Sequence, residues 1–133
     1  MDKQNNPTRI DWRGADMRGA NLVGINLEGA DLRAADLRGV NFSHSNLRYA
    51  DLRGADIQGA NFQNANLYGA KLQGVEANLA DFRGADLRQA NMGGAYLQGA
   101  LLPNRGSSLM EQAERMAKED KPKELAMDQG RGR

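Results

Sequence analysis

Carboxylates in this chain come with arginines. Seven of the eight aspartates between residues 10 and 102 are followed two positions later by arginine: Asp11/Arg13, Asp16/Arg18, Asp31/Arg33, Asp36/Arg38, Asp51/Arg53, Asp81/Arg83 and Asp86/Arg88. Carboxylates at fixed spacing could work as general acid and base, or as the oxygen ligands of a calcium loop. The single histidine, His44, could be a metal ligand, and Ser43, Ser45, Ser107 and Ser108 could be nucleophiles. None of these completes a set. The 133 residues include no cysteine and no second imidazole, which removes thiol nucleophiles, thiolate metal sites and disulfides together. The serines have no base partner in sequence, and there is no glycine-rich phosphate motif. The aspartates have a simpler explanation in a repeat whose turns use them. No enzymatic chemistry, metal or cofactor is expected.

The repeat has a period of five. From Trp12 to Leu102 every fifth residue is a centre, 19 in all, and only Ala77 among them is not large. Two residues before each centre stand Ile10, Ala15, Ala20, Ile25 and so on to Ala100, all small or aliphatic except Ser45. A helix would scatter this period around its circumference, and a flat strand would send alternate repeats to opposite faces. A short extended step followed by a corner puts both apolar residues on one side. Glycine two positions after the centre tolerates the corner's backbone angles, and Asp or Asn before the centre can bond local backbone groups. Repeated steps and corners make a coil, and stacked coils make a solenoid.

A slower period counts the corners. Phe42, Phe62 and Phe82, the chain's only phenylalanines, lie 20 residues apart. The residue before the centre runs Asp11, Asp16, Asn21, Asn26, then Asp31, Asp36, Asn41, Asn46, then Asp51, Asp56, Asn61, Asn66. Four pentapeptides therefore make one turn, with the phenylalanines stacked about 4.8 Å apart in one wall. The 19 centres make nearly five coils.

The pattern A-[D/N]-[L/F]-X-G, as in "ADLRG" at 35–39 and 50–54 and "ADFRG" at 80–84, resembles the pentapeptide-repeat proteins over about residues 10–104. The resemblance implies a right-handed quadrilateral β-helix, a handedness that the period does not supply. It implies little about activity. One repeat departs from the pattern: "VEANL", 75–79, has Ala77 at the centre and Leu79 where glycine belongs. Either it is a degenerate repeat in phase, or Leu79 turns inward and forces a bulge.

Three segments follow from this reading: a polar N-terminal segment 1–9, the all-β solenoid 10–104, and a helical cap with a mobile tail over 105–133. Ser108 with Glu111 fits a capping box, and Leu109, Ala113, Met116 and Ala117 share one helical face. This C-terminal α-helix is expected to cover the last coil, since a solenoid must cover its terminal edges. At the other end Ile10, Trp12 and Met17 form a first coil with no obvious lid, and they are the expected contact if the chain is a homodimer and not a monomer.

Charge bounds the partners. The formal net charge is +1, and residues 10–102 hold ten acids against nine bases. Nucleic-acid binding is not expected from such a surface. Some pentapeptide-repeat proteins mimic DNA and modulate a type II topoisomerase, which gives an alternative function, but a near-neutral rod imitates a polyanion poorly. No apolar run is long enough to span a membrane, and "MDKQNNPTRI" has no signal-peptide core, so the cytoplasm is the expected compartment. The leading expectation is a non-enzymatic scaffold for an unidentified protein partner. Its candidate surface is the column Arg48, Tyr68, Arg88, with Glu28 below it at the same 20-residue spacing, where arginine, tyrosine and cation–π contact come together.

Overall fold

The structure, a computed structural model, describes residues 9–103. The helical cap and tail, and the N-terminal segment apart from Arg9, lie outside the described residues. Fifteen parallel bridges join residue i to residue i+20, from Asp11–Asp31 to Asp81–Leu101. Each coil therefore holds four pentapeptides and has four faces. In the first coil the faces are 10–14, 15–19, 20–24 and 25–29, and each later coil adds 20 to these numbers. Every face contributes one bridged residue per coil and no longer strand, because two of its five residues are already in the turn.

The backbone accounts show why the five positions differ. In the first repeat the Trp12 amide donates to the Asp31 carbonyl at 2.8 Å and the Gly14 amide to Arg33 at 2.9 Å, both in the next coil. The Ala15 amide closes the turn on the Trp12 carbonyl at 3.0 Å. From the second coil on, the residue before the centre donates backward, as Asp31 does to Ile10 at 2.8 Å. One amide per repeat, that of the residue after the centre, is left over. Asp or Asn supplies its acceptor: Arg13 N donates to Asp11 Oδ1 at 3.2 Å, and Ser43 N to Asn41 Oδ1 at 3.0 Å. A buried or half-buried amide without a partner is costly, so the Asp/Asn preference is a hydrogen-bond requirement of the coil.

Four repeats carry neither Asp nor Asn at this position, Lys71, Glu76, Tyr96 and Leu101, and two of them meet the need another way. Where Tyr96 holds the position, the Gln98 amide donates instead to Asn78 Oδ1 of the coil below, at 2.9 Å. Where Leu101 holds it, the residue needing an acceptor is Pro103, which has no N–H.

Inside, Leu, Ile, Phe and Ala from the two inward positions form one continuous core from Leu27 to Ala95. Phe42, Phe62 and Phe82 stack as expected, with centroids 5.0 Å apart at each step and planes 16° and 9° from parallel. A fully buried side chain of this size stabilises by about 1.5–3 kcal/mol, and the stack repeats that gain coil after coil. Ser45, the one polar residue among the inward positions, is buried and its Oγ has no hydrogen-bond partner among the described residues.

The corners take positive φ whatever residue stands there. Glycines such as Gly54 lie near 71°, and Ala34, His44, Tyr49, Asn64, Leu79 and Gln89 follow at 58–65°. The left-handed angle is thus imposed by the coil's bonding, and glycine only makes it cheap. At 75–79 the phase is unbroken. Glu76 bridges both Asp56 and Tyr96, Ala77 is fully buried, and Leu79 sits on the corner at φ 65° with 71% of its surface exposed. Turning Leu79 inward would sacrifice the inter-coil bonds of Ile57, Ala77 and Leu79, so the degenerate in-phase repeat is the one that forms.

Candidate interaction surface on the fourth face

In the first three coils the charged residues of the first two faces satisfy one another. Arg13, Arg33 and Arg53 each set Nε and Nη2 on the two oxygens of the aspartate two residues earlier, at 2.6–2.9 Å. Arg18 and Arg38 do the same on the second face, at 2.7–2.8 Å. Weaker contacts tie successive coils, with Arg13 Nε 3.6 Å from Asp31 and Arg38 Nε 3.6 Å from Asp56. Side-chain hydrogen bonds from the arginines hold Asp11 and Asp16 at about 2, well below the ordinary 3.8. Burial pushes the Asp51 carboxyl up, but its bonds to the Arg53 side chain and amide outweigh this and leave it lowered. A shallow depression beside Asp16, Met17, Arg18 and Ala20 gains no free polar group from these residues, because Asp16 and Arg18 are bonded to each other.

The fourth face is built differently. Asn46 stands where aspartate would, and its Oδ1 accepts from the Arg48 amide at 3.1 Å, so the backbone requirement is met without a carboxylate. The Arg48 guanidinium lies over the Tyr68 ring at 5.0 Å and over the Tyr49 ring at 5.4 Å. Arg88 covers Tyr68 from the next coil at 5.5 Å. The expected column Arg48, Tyr68, Arg88 is thus a continuous cation–π ladder. Glu28, at its foot, comes within 3.9 Å of Arg48 Nε.

Two features of this surface are decided only by its geometry. Arg88 is shared: its fork is taken by Asp86, at 2.8 and 2.9 Å, while its plane rests on Tyr68. Tyr49 also belongs to the stripe. It is a corner residue, 52% exposed, and its ring meets Tyr68 edge-to-face with centroids 5.8 Å apart. The ring lies across Gly69, where a Cβ would come within 2.5 Å of Tyr49 Cε1. A non-glycine corner at 49 followed by glycine 20 residues later was the available signal. The other expected contact, Ile10, Trp12 and Met17, is half-buried and packs against the core from the first coil. Among the described residues no cluster of three potential metal ligands forms, and no helix is long and apolar enough to cross a membrane.

Residues 8–33, 35–74 and 65–104 match the family described as Pentapeptide repeats, in 8 copies. The chain belongs to the pentapeptide-repeat family. Pentapeptide-repeat proteins adopt the right-handed quadrilateral β-helix, and the four-faced coil described above is that fold. Among solved structures the chain is similar to the pentapeptide-repeat protein Rfr23 from the cyanobacterium Cyanothece 51142, at 33% identity and TM-score 0.68, covering 69% of this chain and 63% of that one. It is similar to HetL from Nostoc sp. strain PCC 7120, a pentapeptide-repeat protein involved in heterocyst differentiation regulation, at 37% identity and TM-score 0.68, covering 69% of this chain and 39% of HetL. A third relative, alr5209 from Nostoc PCC 7120, has 33% identity and TM-score 0.52 over 78% of this chain and 83% of its own. The chain therefore matches less than two thirds of the length of the first two. No curated protein matches it. The family match is to a repeat architecture and indicates no catalytic family.

Proposed function

We propose that this pentapeptide-repeat chain is a non-enzymatic scaffold that presents a rigid surface to a protein partner, in a regulatory role. The observation that carries the reading is the ladder Arg48, Tyr68, Arg88. It is an ordered strip of the residue types favoured at interfaces, on a protein whose first two faces, through the first three coils, spend their charges on each other. The likeness to HetL, a protein involved in regulation, supports the regulatory part. A DNA-like surface is poorly supported, since each aspartate of the first three coils' charged walls is bonded to its own arginine or, at Asp56, to Gln58. The test is capture from the native host by immobilised protein. Replacing Arg48, Tyr68 and Arg88 together with serine should abolish capture of the partner while the circular dichroism spectrum is kept. Capture that persists undiminished would remove the fourth face from the proposal.

A further inference from the structure

Arg48 differs from every other arginine of the repeats. Arg13, Arg18, Arg33, Arg38, Arg53, Arg83 and Arg88 each hold a carboxylate by Nη2 at 2.6–2.8 Å. Arg48 has a neutral asparagine in that place. Its nearest carboxylate, Glu28, stands 3.9 Å from Nε and also lies 3.5 Å from Asn46 Nδ2. The Nη edge of Arg48 therefore has no carboxylate among the described residues. Meanwhile the guanidinium is fixed by the rings of Tyr49 and Tyr68, which removes much of the entropy cost of ordering a long side chain on binding.

Resting on the scaffold reading above, we infer that Arg48 receives a single carboxylate from an acidic segment of the partner, with an apolar neighbour of that carboxylate packing on Tyr49 and Tyr68. Charge complementarity favours a carboxylate because an oriented guanidinium with a free edge matches it two bonds to two. The surroundings disfavour a phosphate. Glu28 lies beside Arg48, Asp86 is close enough to feel its charge, and Arg88, the only other cation of the ladder, already has its fork on Asp86. A dianion would meet one free cation near two acids. The half-exposed Tyr49 ring supplies the apolar seat, and Gly69 is what lets that ring lie flat beside Arg48.

The test uses the intact chain and two capped peptides, acetyl-Ala-Pro-Leu-Glu-Leu-Ala-amide and its glutamine counterpart, followed by NMR of the arginine Nε–H and tyrosine ring signals. The glutamate peptide should shift Arg48 and Tyr49 saturably, with an affinity on the order of 1 mM. The glutamine peptide should bind at least about fivefold more weakly, and Arg48→Gln should erase the difference between them. Equal responses to the two peptides, shifts spread evenly over Arg13, Arg33 and Arg53, or no response at all would overturn the inference. So would inorganic phosphate producing the same Arg48 shift at the same concentration. Loss of partner capture in the triple serine variant, combined with indifference to peptide charge, would leave the scaffold reading standing and remove only the acidic segment.

Discussion

On the first face of the coil Asp31 and Asp51 are buried beneath the arginines they bind, whereas on the fourth face Asn46 leaves Arg48 to lie on tyrosine rings. The two faces have the same backbone. What differs is the acceptor before the centre and the outward residues beside it, Asn46 with Tyr49 and Tyr68 around Arg48 on the fourth face. Aspartate and asparagine both accept the leftover amide, but only aspartate also neutralises an outward arginine. The choice between them decides whether a face closes its own charges or keeps a cation for something else. Face three fits the same rule: Asn21, Asn41 and Asn61 precede Val23, Ser43 and Gln63, and arginine enters only at Arg83, behind Asp81.

The sharpest way to break this comparison is to separate the two tasks of one aspartate. Asp51→Ala removes both the Arg53 amide bond and the Arg53 side-chain pair, and should cost about 2 kcal/mol in urea unfolding. Asp51→Asn keeps the amide bond and should cost roughly half as much, because a pair with a half-exposed arginine contributes little by itself. Equal losses in the two variants would mean that the backbone task is minor and that the account of the repeat is wrong.

A smaller effect is expected from acid. Because the folded protein lowers the aspartates of these faces, the unfolded chain binds more protons, and the stability they contribute is present above the ordinary value of 3.8 and lost as pH falls through the folded values. Melting temperature should therefore fall most steeply between 3.8 and about 2, the value at which Asp11 and Asp16 are held. A melting temperature flat across that window would contradict the pairing on the first two faces.

The sequence announces the coil because the coil is made of local rules. Centres, inward alanines, the 20-residue period and the phenylalanine stack all follow from types and spacing, and the column Arg48, Tyr68, Arg88 follows from the period alone. The remainder depends on what crosses between coils. That Ala34 or Leu79 would accept a left-handed angle is set by inter-coil bonds that no single repeat displays. That Tyr49 joins the ladder depends on the empty space over Gly69, and that Asn78 serves the Gln98 amide depends on a neighbour 20 residues away. Arg88 was legible twice, as a partner of Asp86 and as a rung above Tyr68, and only its geometry shows that it does both.

The contrast between closed and open faces can be measured on the free protein. In NMR of the arginine side chains, hydrogen exchange at Nε–H reports whether the guanidinium is held by an acceptor. The account predicts slowed exchange at Arg13, Arg18, Arg33, Arg38 and Arg53, whose Nε atoms lie 2.8–2.9 Å from aspartate Oδ1, and fast exchange at Arg48. Protection at Arg48 equal to that of the five paired arginines would contradict it.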